Sequence, residues 1–105
     1  MSTPPRWSSQ ALERLGVALS DPIRQTILLR LTRGPAYPSE LAELDNTSRS
    51  NLSNHLACLR GCGLVATERQ GRQVRYELVT RRLGEALAIV EEAIDESALV
   101  VGHGR

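Results

Sequence analysis

Two cysteines, Cys58 and Cys62, stand four positions apart in the run RSNLSNHLACLRGCG from Arg49 to Gly63. On a helix that spacing places both thiols on one flank, about 40° apart, where they can reach a single ion. Sulfur donors favour soft or borderline divalent ions, Zn(II), Cd(II) or Pb(II), and two ligands make half of a tight site. Two histidines could add a donor: His55, roughly 60° from Leu52 on the same wheel, and His103, between Gly102 and Gly104. The pair has two other readings, as small packing residues or as a dithiol that oxidises. The negative end of the helix dipole disfavours a thiolate there, whereas a metal drives deprotonation itself.

The polar residues ahead of the thiols carry a different chemistry. Arg49, Ser50, Asn51, Ser53, Asn54 and His55 gather in the first turns of the same helix. Arg pairs bidentately with guanine and Asn with adenine, while Ser and free backbone N–H groups suit phosphate. Net charge is only +1, but all thirteen basic residues are Arg, and seven of them lie between positions 49 and 82 against Glu68 and Glu77. Residues 83–105 are acidic by contrast, with Glu85, Glu91, Glu92, Asp95 and Glu96 against Arg105. The middle of the chain is therefore the expected polyanion-binding face.

The elements that must position these groups follow from pattern. Ser8 or Ser9 can cap a first helix over 11–19, with Leu12, Leu15 and Leu19 on one stripe. Asp21-Pro22 starts a second helix and Gly34-Pro35 stops it, with Ile23, Ile27, Leu28 and Leu31 facing inward. Ser39 is expected to cap a short helix through Leu44, and Asn46-Thr47-Ser48 breaks the chain before a longer helix over 48–60. There Leu52, Leu56 and Leu59 form the buried stripe. Two β-prone runs around Gln70-Gly71-Arg72 predict a hairpin bearing Arg69, Arg72 and Arg75. Thr80 can cap a last helix whose Leu83, Leu87, Val90 and Ile94 are either core or dimer seam.

Together these predict a mainly α fold with a β-hairpin wing, a winged helix-turn-helix over 10–96 flanked by an arm (1–9) and a tail (97–105). At 105 residues without Phe, the aliphatic core is expected to be completed by a homodimer through the first and last helices. No run approaches the roughly 18 apolar residues of a membrane span, and MSTPPRW lacks the apolar core of a signal peptide. The expected location is the cytoplasm, where both thiols stay reduced. No nucleophile–base pair, phosphate loop or carboxylate dyad stands out, so the expectation is a binding protein without an organic cofactor, not an enzyme. A winged helix of this kind serves DNA recognition or, as a rival, protein–protein contact.

The stretches LSDPIRQTILLRL, SNHLACLRGCGLV and GRQVRYEL resemble the ArsR/SmtB family of metalloregulatory repressors over residues 10–96. HLACLRGCGLV followed by GRQVRYEL is similar to its cadmium/lead-sensing branch, in which the two cysteines are metal ligands. The resemblance implies a homodimer that binds inverted-repeat operator DNA when metal-free and releases it on binding metal. A redox-responsive or ligand-independent regulator of the same fold is the alternative. The family's Cys-X-Cys site is absent from Leu41-Ala42-Glu43-Leu44, and residues 81–96 hold no His for its last-helix site. That branch takes its third ligand from a tail cysteine. An ungapped alignment from VRYEL onward puts His103 there, implying a Cys58, Cys62, His103 set.

Overall fold

The computed structural model describes residues 10–103, apart from the side chains of Asp45 and of residues 96–103. The order is α1 (Gln10–Leu19), α2 (Pro22–Leu31), α3 (Pro38–Asp45), α4 (Arg49–Gly61), β1 (Val65–Gln70), β2 (Gln73–Leu78) and α5 (Arg81–His103). This is the winged helix-turn-helix the patterns predict.

Local chemistry sets most boundaries. Asp21 Oδ1 accepts from the N–H groups of Ile23 (2.8 Å) and Arg24 (3.2 Å), and Pro22 opens α2. At α3 the start lies two residues earlier than expected. Tyr37 is the cap position, Pro38 opens the helix, and Glu40 reaches back to accept from Tyr37 N–H at 3.0 Å, so Ser39 lies inside the helix. The reason is that proline at the first helical position, with a carboxylate returning from the third, outweighs one serine hydroxyl. Asn46 takes a left-handed φ of 48° to end α3, and Ser48 Oγ accepts from Asn51 N–H at 3.1 Å to begin α4.

The end of α4 is a paired turn. Gly63 (φ 77°) donates to Arg60 O at 2.9 Å, and Leu64 donates to Leu59 O at 3.2 Å. Glycine adopts that backbone without a Cβ clash, which stops the helix at Cys62 and turns Leu64 into the core. The wing follows as an antiparallel pair in which Val65 faces Leu78 and Gln70 faces Gln73. Gly71 (φ 65°) supplies the positive φ that its two-residue loop needs. Ala36 adds a bridge the sequence did not reveal, exchanging hydrogen bonds of 2.9 and 2.8 Å with Tyr76, so the segment before α3 is stitched to the wing.

The core gathers Ile27, Leu28 and Leu31 of α2, Leu41 of α3, and Leu52, Leu56 and Leu59 of α4, closed by Ala18, Leu64, Val65 and Leu87. Leu15, Leu19, Ile23 and Leu83 pack against it half-buried. Thr80 Oγ1 caps α5 by accepting from Leu83 N–H. That helix continues to His103 where the sequence pattern placed its end at 96. Of the stripes read as core or dimer seam, Leu87 is buried, while Leu12, Val90 and Ile94 remain exposed.

Candidate nucleic-acid interface and thiol site

Because Leu52, Leu56 and Leu59 hold one side of α4 in the core, Arg49, Ser50, Asn51, Ser53 and Asn54 are turned out to solvent. Asn51, exposed, donates its amide N–H to Thr47 Oγ1 at 2.9 Å. A cleft of about 410 Å³ runs between α4, the start of α3 and the wing, and brings Arg49 and Ser53 together with Arg72. Tyr37, Ser39 and Gln73 line the same cleft. Sequence reasoning missed these three, since their meeting depends on a non-local contact, the Ala36–Tyr76 stitch that ties the α3 entrance to the wing.

The wing arginines are not equivalent. Arg69 and Arg72 are exposed. Arg75, grouped with them in the sequence, is half-buried and holds Glu68 across the hairpin at 2.7 Å. His55 also departs from the DNA-facing group. Its side chain is 13% exposed and turned toward α2, with Nδ1 3.1 Å from Arg24 Nη1 and Nε2 3.8 Å from Asp21 Oδ1. Desolvation acts to raise the Asp21 carboxyl, yet the N–H groups of Arg24 and Ile23 and the positive charge of Arg24 hold it below its ordinary value.

At the other end of α4, Cys58 is half-buried and Cys62 buried, both as free thiols. Burial pushes the Cys62 thiol up, and the adjacent Cys58 adds to the shift, while the charges of Arg24 and Arg14 act the other way. The two thiols are therefore neighbours, as their spacing predicts. Among the described residues no group of three or more His, Cys, Asp or Glu side chains converges as a metal site. The His103 side chain, read as the third ligand, lies outside the described residues. Paired sulfur donors beside the last turn fit half of a soft-metal set.

The family model described as bacterial regulatory protein, arsR family, matches residues 21–67. The HTH-type transcriptional regulator CmtR of Mycobacterium tuberculosis is 51% identical over 84 residues, covering 80% of this chain and 71% of that protein. The NMR structure of the cadmium metal-sensor CMTR from the same organism superposes with a TM-score of 0.63 at 54% identity, covering 72% of this chain and 79% of that one. A homodimeric winged helix-turn-helix DNA-binding domain from Mycobacterium bovis gives a TM-score of 0.77 at 26% identity, covering 83% of this chain and 81% of that one. Among the described residues no helix is long and apolar enough to cross a membrane. Fold, sequence and α4 geometry agree, and the chain belongs to the arsR family of bacterial regulatory proteins.

Proposed function

We propose that this protein is a homodimeric repressor that holds operator DNA when metal-free and releases it when Cys58 and Cys62 bind a soft or borderline divalent ion. The observation that carries this reading is that one helix, α4, bears both ends of the device. Its first turns present Arg49, Ser50, Asn51, Ser53 and Asn54 beside the wing cleft, and its last turn presents the thiol pair.

In the DNA-binding state, Arg49, Asn51 and Asn54 reach base edges in the major groove, while Ser53, Arg69 and Arg72 hold the backbone. Two copies related by a two-fold axis would place their α4 helices about 34 Å apart, one turn of duplex. The dimer forms through α1 and α5, where Leu12, Val90 and Ile94 remain exposed.

Cys58, Cys62 and the His103 imidazole are the proposed ligands. When bound, the ion keeps both sulfurs deprotonated at neutral pH. Cd(II), Pb(II) or Zn(II) match two thiolates with one imidazole, and Ni(II) is the less favoured choice. A coupling of about 1–3 kcal/mol between the sites would weaken operator binding roughly 5- to 150-fold.

The test uses an operator selected by the protein from random-sequence duplexes. Cd(II) is titrated into the reduced protein with and without that DNA, following the thiolate charge-transfer band and operator anisotropy together. A band saturating near one equivalent per monomer with DNA release supports the proposal. DNA binding without any band would leave a regulator that is not a metal sensor.

A further inference from the structure

Arg24 commits almost its whole guanidinium to joining three helices. Its Nε donates to Ala18 O at 3.1 Å, and its Nη2 donates to Val17 O at 3.0 Å and to Ser20 Oγ at 3.2 Å, so it gathers the carboxyl end of α1. Its Nη1 lies 3.1 Å from His55 Nδ1 in the middle of α4. A guanidinium has donors and no acceptor, so His55 Nδ1 must offer its lone pair. The neutral ring then carries its proton on Nε2, the nitrogen that faces Asp21 Oδ1. Asp21 closes the circuit by accepting from the first N–H groups of α2, that of Arg24 included.

Two features make this more than a structural brace. First, Leu52, Leu56 and Leu59 decide which face of α4 meets the core, but hydrophobic contact is non-directional and leaves the fine rotation of the helix to directional polar links. Among the described residues, the side-chain polar links from α4 to α1 and α2 are those of His55. Second, the hub adjoins the thiols. His55 lies one turn before Cys58 on the same flank of α4.

We propose that Arg24 and His55 are positioning residues that fix the rotation of α4 against α1, and so determine both how tightly the metal-free protein holds its operator and how strongly occupancy of the thiols changes that grip. His55 then serves as neither metal ligand nor DNA contact. A change in how the Cys58 and Cys62 side chains are held alters the last turn of α4, and a stiff helix carries that change to His55 one turn away. His55 passes it through Arg24 to the carboxyl end of α1, the helix assigned above to the dimer. The response half of this inference rests on the metal-sensor reading.

The experiment compares wild type with His55→Leu, His55→Asn and Arg24→Lys. Leucine removes the acceptor, asparagine restores an oxygen near the Nδ1 position, and lysine keeps the charge but loses the planar fork. The readouts are operator affinity without and with Cd(II), the cadmium–thiolate band, thermal midpoint and the ring-nitrogen NMR spectrum of His55. His55→Leu and Arg24→Lys should cut the ratio of metal-free to metal-loaded affinity by at least about 5-fold with the band unchanged, and His55→Asn should recover it.

A folded His55→Leu protein with the wild-type ratio overturns the proposal. So does a wild-type spectrum showing a proton on Nδ1 at neutral pH, or scalar coupling of His55 to bound cadmium, and this arm needs no variant to fold. A wild type with neither band nor metal-induced release defeats the sensor reading and the response half with it. The ring spectrum and the metal-free affinities of the variants then decide the positioning half alone.

Discussion

Glu68 and Arg75 face each other in register across the wing, with the arginine Nη2 2.7 Å from the carboxylate. The pair divides the basic wing into arginines that are available to a polyanion and one that is already occupied. An exposed ion pair of this kind contributes about 0–1 kcal/mol to stability. Its larger effect is on charge placement. Arg72→Ala should weaken operator binding and reduce the slope of log affinity against log salt by about 0.9, the loss of one phosphate contact. Arg75→Ala should change the slope less, and Glu68→Gln should steepen it by freeing Arg75. Equal slopes for Arg72→Ala and Arg75→Ala in a salt series would show that the pairing does not persist on DNA.

Gly63 gives a sharper stability prediction. Its φ of 77° permits the two hydrogen bonds that end α4, leave Cys62 at the helix boundary and bring Leu64 inward. No neighbouring atom would meet a Cβ there, so the cost of a side chain is conformational. Gly63→Ala should destabilise the fold by about 1–2 kcal/mol. Urea unfolding measures this directly, and an unchanged midpoint would mean the turn relaxes without strain.

The acid limb of stability should carry the signature of Asp21. Its folded carboxyl lies below the ordinary value of 3.8, so its contribution is fully present above that value and is lost as pH falls through the lower folded value. Asparagine caps a helix about as well but does not titrate. The stability difference between wild type and Asp21→Asn should therefore shrink as pH falls below 3.8. A difference that grows on acidification would contradict the assigned direction.

Much of this was legible because it is local. Asp21-Pro22 and Thr80 announced helix starts through the cap each makes, Asn46-Thr47-Ser48 marked the break before α4, and the Leu52, Leu56, Leu59 stripe oriented α4 so that its exposed polar turns could be read directly. The thiol pair was visible from its spacing alone. Non-local contacts hid the rest. Arg24 and His55 meet across 31 positions, and no helical wheel shows that the histidine on the thiol flank already has a partner. Arg75 looked equivalent to Arg72 until strand register placed Glu68 opposite it. The last helix was ended at 96, yet the sequence from Glu85 to Val101 has neither Gly nor Pro to stop a helix, and α5 runs on to His103.

The last helix separates core from seam, and the dimer can be tested on that difference. Leu87 is 8% exposed, whereas Ile94, two turns further on, is 61% exposed. Truncating Leu87 to Ala should cost about 2–5 kcal/mol, because it leaves a cavity under α5. Replacing Ile94 with Asp should leave the monomer fold intact, since no core contact is lost, while placing a charge in the seam assigned to the partner. The Ile94→Asp protein should sediment as a monomer with a near-native circular dichroism spectrum. Its operator affinity should fall on the order of 100-fold, the advantage of engaging two half-sites together. A dimer of unchanged strength would take Ile94 out of the seam and leave α1, with its exposed Leu12 and Val17, as the part of the assigned interface to probe next.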